Sequence, residues 1–485
     1  MSFACKPQRY PQSNDRSIHD REQGKPIRVG CLLYTNARGR VDMTTISPSI
    51  HDVIGVGFGP SNLALAIALE ELAQLNGKSL NALFIDKQAH YRWHGDTLSS
   101  QSELQISFLK DLVSLRNPTS PYSFVNYLKK QDRLIDFVNL GTFYPCRLEF
   151  NDYLGWVAEQ FAEHAIYGEE VTRIEPEFDN GAIHHLKLVS RTAHGQEHVR
   201  HTRSVVISTG GSPKVPAVFE PFRHDPRVFH HSTYLSSLNK LPCSEGKPMR
   251  IAIIGSGQSA AEAFIDLNDS FPSVKAEMIL RGTALKPADD SPFVNEIFDP
   301  RYTDLVFQQL PQDREQLINE YHNTNYSVVD PELIERIYGI LYRQKVAHQY
   351  RHAVLCRQQV ETVHSSDQGI ELTLRDLATN QHRTHRYDAI ILATGYERRT
   401  HHSLLAPLES YLKGFEVDRN YRLIATPGLH APVFLQGFCE ASHGLSDTLL
   451  SVLPMRSEEI GKALYQSLKI PTFIHESQAA ALISA

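Results

Sequence analysis

The stretch "MRIAIIGSGQSAAEAF", residues 249–264, runs from a short apolar strand through a glycine loop into the first turns of a helix. An earlier stretch, "HDVIGVGFGPSNLALAIALEE" at 51–71, follows the same plan. A glycine loop alone is a weak signal, but a strand before it and a helix after it supply a mechanism: bare backbone N–H groups at a helix N-terminus cradle a pyrophosphate. The first loop carries Gly55, Gly57 and Gly59 followed by Pro60, so its third fingerprint glycine is missing. The second carries Gly255, Ser256 and Gly257, with Ala260 in the third place. After the first loop, Leu63, Ile67 and Leu72 recur close to one helical face.

Each unit continues through alternating strand-like segments and closes on a similar signature, "SVVISTGGSP" at 204–213 and "DAIILATGYER" at 388–398. Thr209-Gly210 and Thr394-Gly395 would bring bare backbone toward a bound cofactor, where a side chain would collide. The chain repeats itself coarsely, which implies an α/β fold with two Rossmann-like dinucleotide-binding domains. Their cofactors are read from the residues past each loop. "NALFIDKQ" carries Asp86, where a carboxylate can accept bonds from a ribose hydroxyl; "AEMILRG" ends on Arg281, whose guanidinium suits the 2′-phosphate of NADPH. FAD in the first domain and NADPH in the second is the economical assignment. The competing reading is that both residues only end strands at a solvated surface.

These signals divide the chain into an N-terminal extension at 1–48, an FAD domain at 49–212 and 385–470, an NADPH domain at 213–384, and a tail at 471–485. Within the NADPH domain, Leu333, Ile337 and Leu341 have helical spacing, so a small helical region is expected at about 286–350. Asn295, Asn323 and Asn325 fall in its connecting segments, and asparagine-rich connectors ordinarily only make turns.

Composition narrows the function. The 485 residues suffice for about two or three domains. A net charge of −6, spread without basic clusters, argues against a nucleic-acid or anionic-membrane surface. No membrane span is expected, because the longest apolar helical stretch, Leu63 to Leu75, is interrupted by Glu70 and Glu71. Cys5, Cys31, Cys146, Cys243, Cys356 and Cys439 lie far apart, with neither metal spacing nor a disulfide framework, and read as reduced cytoplasmic thiols. Residues 1–48 mix Pro, Gln, Asn, Arg and Asp, which predicts a disordered extension; early Asp15, Asp20 and Glu22 argue against a targeting peptide. A homo-oligomer is compatible with all of this.

Further motifs narrow the class. "GVGFGPSN", "QISFLKDLVSLRNPTSPYSF", "SPFVNE", "HNTNYSVV", "ATGY" and "SHGLSDTLLSVLP" occur in that order between about residues 50 and 470. Together they resemble the microbial N-hydroxylating flavin monooxygenases, most closely the L-ornithine N5-monooxygenases of siderophore biosynthesis. The resemblance implies that Gly55, Gly57, Gly59, Asn62, Asp86, Lys87, Trp93 and His94 hold FAD, with Gln105 beside the flavin. It implies that Gly255, Ser256, Gly257, Gln258, Ser259 and Arg281, with Thr394 and Gly395, serve the nucleotides. By the same resemblance Lys110 pairs with the carboxylate of L-ornithine, the small helical region at about 286–350 is a substrate-binding region whose Asn295 and Asn325 bind the amino-acid end, and Ser446, Thr448 and Leu449 return the chain to flavin and substrate.

The chemistry implied is that NADPH reduces FAD, the reduced flavin adds O2 as a C4a-hydroperoxide, and the substrate amine takes its distal oxygen. No side chain is required as acid or base, and no metal. An amine with a reference pKa of ~10.4 is protonated in neutral water, so a desolvated pocket is needed to expose its lone pair. Taken without the resemblance, Lys110 reads as a surface cation beside Asp111. The pair His230-His231 reads as a linking segment, and His443 as structure or a flavin contact.

The rivals are distinguishable. A disulfide reductase would need a cysteine pair soon after the first loop, and no cysteine stands there before Cys146. A carbon- or sulfur-oxygenating flavin enzyme would carry an FxGxxxH linker, which "FRHDPRVFHHS" lacks. A nucleotide-binding sensor would share the fold without the reaction. Lysine and diamines remain alternative substrates. One methylene is worth only about 1–3 kcal/mol, so ornithine over lysine rests on the resemblance, whereas a carboxylate held by Lys110 argues against a diamine.

Overall fold

The computed structural model describes residues 50–99 and 102–469; the expected N-terminal extension and C-terminal tail lie outside the described residues. Each glycine loop stands on its own five-stranded parallel sheet. The first sheet runs Val433–Leu435, Val205–Ile207, Val53–Val56, Ala82–Asp86, Ala165–Tyr167. The second runs Val228–His230, Ala389–Leu392, Met249–Ile254, Val274–Ile279, Ala353–Leu355. In both, the strand before the glycine loop is central and the Thr-Gly strand lies beside it. In each module a three-stranded antiparallel meander is inserted just before the Thr-Gly strand, at 169–202 in the first, where Ile50–His51 adds a parallel edge strand, and at 358–387 in the second. The coarse repeat in the sequence is therefore a repeat of architecture.

Sheets covered on both faces demand continuous apolar runs. Val53, Ile54, Val205, Val206 and Ile207 are fully buried, each contributing roughly 1.5–3 kcal/mol. The helix Pro60–Asn76 departs from the one-faced pattern expected of it, because Leu63 through Leu69 are all buried. The cause is the C-terminal helix Leu453–Ser467, which packs so closely that a Cβ added at its Gly461 would lie 2.7 Å from Leu72 Cδ1. Two other glycines permit the central contact of each module. A Cβ on Gly57 would meet the carbonyl of Ser208, and one on Gly255 the carbonyl of Ala393; both residues have positive φ, +84° and +150°.

The boundary expected between 384 and 385 falls too early. Ala389–Leu392 pairs with Met249–Ile254 and Val228–His230 in the second sheet, not with the first. A four-residue apolar run carries no period that says which of two similar sheets it enters. The chain returns to the first module only after Gly395. There Tyr396–Glu397 pairs antiparallel with Ser212–Pro213, the outgoing connection, so the two links between modules are hydrogen-bonded to each other.

The helical region comprises Pro292–Asn295, Tyr302–Gln308, Pro311–Tyr321 and Pro331–Ala347. It fills the crossover from Val274–Ile279 to Ala353–Leu355, and its last helix buries Ile337 and Ile340 in the second core. The equivalent crossover of the first module, from Ala82–Asp86 to Ala165–Tyr167, carries Phe124–Lys130, Leu134–Leu140 and Arg147–Gln160.

Burial also places histidines. His231, His352, His401 and His443 are buried, and desolvation lowers their pKa values to about 3 for His231 and about 4 for the others. In the unfolded chain the same groups take up protons near the ordinary value of ~6.5. Below that pH the unfolded state binds more protons, so stability is fully present above about pH 6.5 and is lost as pH falls toward 4. The thermal midpoint is expected to be level above about pH 6.5 and to fall steadily below it; a midpoint unchanged through that window in a buffer series would contradict this account.

Candidate functional site

A cavity of about 2290 Å³ is walled by both modules. Pockets for one small ligand usually measure ~300–1,000 Å³, so this volume exceeds what a single substrate needs. The first module contributes Trp93, His94, Gln105 and Lys110; the second contributes Gly255, Ser256, Gly257, Gln258, Ser259 and Arg281. Asn295 and Asn325 enter from the helical region, Thr394 and Gly395 from the return turn, and Thr448 and Leu449 from the C-terminal segment. Residues spread over more than three hundred positions of sequence thus share one wall.

The dinucleotide ends can be tested against the residues present. Gly59 caps the helix Pro60–Asn76 and Gly257 caps Gln258–Ser270, in both cases with no side-chain cap and no acidic residue in the first turn. Both helix N-termini therefore present N–H groups suited to a pyrophosphate. Gly55 is buried in the strand leading to the first loop. Asp86 accepts the N–H of Phe58 at 2.7 Å and of Gln88 at 2.8 Å, which fixes its carboxylate at the end of its strand with lone pairs left for hydroxyls. Arg281 is exposed on the cavity wall and makes no ion pair among the described residues. The residues fit both FAD and NADPH.

Gly55, Gly57, Gly59 and Asp86 are not among the residues lining this cavity, and neither are Asn62, Ser446 and Lys87. Asn62 is fully buried; its Nδ2 donates to Gly57 O at 2.6 Å and its Oδ1 accepts from Gln436 at 2.9 Å, so it braces the loop from behind. Ser446 is 1% exposed, folded into the turn Leu445–Thr448, and does not line the cavity as its neighbours Thr448 and Leu449 do. Lys87 is mostly exposed and stands 3.9 Å from Glu170. In each case backbone packing or a nearby partner claims the side chain.

Lys110 is not the partner of Asp111. That carboxylate is buried and accepts the N–H groups of Val113, Ser114 and Phe124 at 2.9, 2.6 and 2.8 Å, which fixes a turn. Lys110 lines the cavity half-buried; desolvation draws its pKa below the ordinary lysine value and Asp299 acts in the opposite sense. Asn295 is oriented by donating to Asp290 O at 2.6 Å, and Asn325 follows the turn His322–Thr324. Gln105 and Gln258 both donate to Asp330, at 2.9 and 2.8 Å.

His230 and His443 are engaged by the fold, whereas His231 lies on the cavity wall. His230 donates through Nε2 to Gly395 O at 2.9 Å, holding the return turn. His443 stacks on Tyr421 at 4.0 Å, bonds Arg419 O at 3.1 Å, and does not line the cavity. Several wall residues gave no local signal. Tyr326 donates to Glu440 at 2.5 Å and lies 3.2 Å from Thr448 Oγ1, while burial pushes the Glu440 carboxyl upward. Arg147 meets Glu262 across the modules. Glu262 is not among the expected residues either, although a lone charge inside "SAAEAFI" is a signal that could have found it.

Known proteins share this arrangement. The family model for L-lysine 6-monooxygenase/L-ornithine 5-monooxygenase matches residues 49–398. The L-ornithine N(5)-monooxygenase of Pseudomonas aeruginosa is 63% identical over 425 residues, covering 88% of this chain and 96% of that protein. Among solved structures, an ornithine hydroxylase of Pseudomonas aeruginosa matches with a TM-score of 0.83 at 62% identity, over 87% of this chain and all of that one. An ornithine N-hydroxylase of Kutzneria sp. 744, solved with reduced FAD, NADP+ and L-ornithine, matches with a TM-score of 0.80 at 36% identity, over 86% of this chain and 99% of that one. With two matched sheets, two uncapped glycine-loop helices and one shared cavity, the chain belongs to the L-lysine 6-monooxygenase/L-ornithine 5-monooxygenase family.

Proposed function

We propose that the protein is an FAD-, NADPH- and O2-dependent L-ornithine N5-monooxygenase whose product is a precursor of a hydroxamate siderophore. One observation carries this reading: Lys110, Asn295 and Asn325 line the same cavity as the second glycine loop and Thr448–Leu449. The first loop and Asp86 would hold FAD, and the second loop with Arg281 would hold NADPH. When bound, the flavin supplies the reductive activation of O2 that no protein side chain provides.

The chain's own residues do the rest. Lys110, half removed from water, attracts a carboxylate more strongly than a fully solvated lysine does. That contact fixes one end of an amino acid and leaves a diamine without a partner. The amides of Asn295 and Asn325 take the α-amino end. Exclusion of water then disfavours the charged form of the side-chain amine and frees the lone pair that must attack oxygen. A fixed carboxylate and a fixed cavity floor together set how far that nitrogen reaches.

The compartment proposed with this reading is the cytoplasm. Cys146, Cys243, Cys356 and Cys439 are free thiols. Among the described residues no helix is long and apolar enough to cross a membrane. A cytoplasmic enzyme drawing on the NADPH pool accommodates both facts.

Two outcomes are expected. Purified flavin-loaded protein should consume NADPH and O2 and yield N5-hydroxyornithine in a product assay run in parallel with lysine and putrescine. Failure to form a hydroxylamine from any of the three would reject the reading. Lys110→Ala should raise the KM for ornithine roughly 10- to 100-fold, the loss of one charged hydrogen bond, while anaerobic reduction of the flavin by NADPH keeps its rate. Equal KM values in the two proteins would remove Lys110 from substrate recognition.

A further inference from the structure

We infer that Arg147 and Glu262 form a positioning pair for hydride transfer, holding the second glycine loop at a fixed distance and angle to the first module. The inference rests on the proposed function and adds residues that neither glycine loop nor substrate wall supplies.

Arg147 opens the helix Arg147–Gln160, whose Phe150, Tyr153, Leu154 and Val157 belong to the first core. Glu262 lies just inside the helix Gln258–Ser270, flanked by Ala261 and Ala263 of the second core. Their side chains meet as a two-pronged pair, Nη1 to Oε2 at 3.0 Å and Nη2 to Oε1 at 2.9 Å, with exposures of 17% and 7%. Arg147 Nε also donates to Glu103 O at 3.0 Å, so its plane is fixed on the first-module side. On the other side Gln258 donates to Glu262 at 3.0 Å and to Asp330 at 2.8 Å, while its own oxygen accepts the Asp330 N–H at 3.0 Å. Gln258 is the residue immediately after Gly257. A continuous set of bonds therefore runs from the first-module helix to the tip of the nucleotide loop, and Arg147, Gln258, Glu262 and Asp330 all line the cavity.

A buried ion pair is weak evidence for stability, since apolar residues of similar volume often serve as well. What a forked guanidinium–carboxylate pair adds is direction and distance. Burial and the neighbouring Asp330 push the Glu262 carboxyl upward while Arg147 opposes them. Between the modules, among the described residues, the backbone pairs in the two-residue ribbon of Ser212–Pro213 and Tyr396–Glu397, and side chains cross at Ser236–Asp96, Gln105–Asp330, Arg419–Asp304 and the two-pronged Arg147–Glu262 pair. Two short strands hold the connections together but leave the angle between two sheets to side-chain contacts such as this one.

The test uses the flavin-loaded full chain, with Glu262→Gln, Arg147→Lys, and the double variant Arg147→Met/Glu262→Met. Anaerobic stopped-flow reduction by saturating NADPH should slow about 10- to 100-fold in all three, the scale of an ångström of misplacement. The dissociation constant of NADP+ and the rate of chemical reduction by dithionite should stay near those of the unsubstituted protein. The double variant, free of any unpaired buried charge, should recover the thermal midpoint without recovering the reduction rate. Unchanged reduction rates with a lowered thermal midpoint would make the pair a mere strut and overturn the inference. So would a double variant that reduces normally. If the unsubstituted protein is reduced by NADPH but makes no hydroxyornithine, the proposed function fails while the measurement on the pair still decides its role; if it is not reduced at all, both fail.

Discussion

A strand-end carbonyl pressed against a glycine of the neighbouring strand's loop is the contact on which both halves of the molecule turn. Ser208 meets Gly57 in one half and Ala393 meets Gly255 in the other, and neither glycine leaves room for a Cβ. A side chain at either position would push the loop off the sheet and carry the helix N-terminus away from the carboxyl ends of the strands, where open α/β sheets bind their ligands. Immediately after each carbonyl the chain turns through Thr-Gly and leaves its sheet. Those two exits become the paired strands Ser212–Pro213 and Tyr396–Glu397. The constraint that shapes the loops thus also fixes where the modules join, and His230 reinforces it through Gly395.

The repeat explains how a substrate site arises between two nucleotide folds. In each module the crossover that leaves the strand after the glycine-loop helix is enlarged, at 87–164 in the first and 280–352 in the second. The first enlargement brings Gln105 and Lys110, the second Asn295 and Asn325, and all four reach one cavity. Neither half holds a complete site. The relation between the halves is consequently part of the chemistry, and a directional contact across the joint has more to do than add stability.

What the sequence disclosed follows chain continuity. Strand, glycine loop and helix are contiguous, so their periodicity and punctuation could be read at 53–76 and 249–270 without knowing what lies nearby. The apolar run at 389–392 reads as the strand that closes the second unit, which is where it pairs, but the boundary drawn at 384–385 gives it to the first module, because the return of the chain after Gly395 has no signal of its own. Asn62 and Ser446 stand in the right motifs, yet their side chains are consumed by the fold, a distinction that depends on atoms far away in sequence such as Gln436. Lys110 shows the converse. Its neighbour Asp111 suggested a surface ion pair, and only the turn that buries Asp111 turns Lys110 into a cavity residue.

The supports of the two loops differ in kind. Behind the first, Asn62 is wholly buried, and Arg456 pairs with Asp447 at 2.9 Å with side chains 1% and 0% exposed while donating to Ser61 Oγ at 3.0 Å. Asp447 in turn accepts the Cys439 N–H at 2.7 Å, so the C-terminal segment is locked against the first helix. Removing one member of such a pair would strand a buried charge, at a cost of roughly 3–5 kcal/mol. The second loop is framed partly by the buried Glu262, to which Gln258 donates, and partly by accessible groups: Gln258 also donates to Asp330, which is partly accessible, and Asp330 accepts from Gln105, which is exposed. A loop framed wholly by buried groups is held more rigidly than one that rests in part on accessible polar contacts at a joint, so the second loop has more freedom to adjust to what it binds.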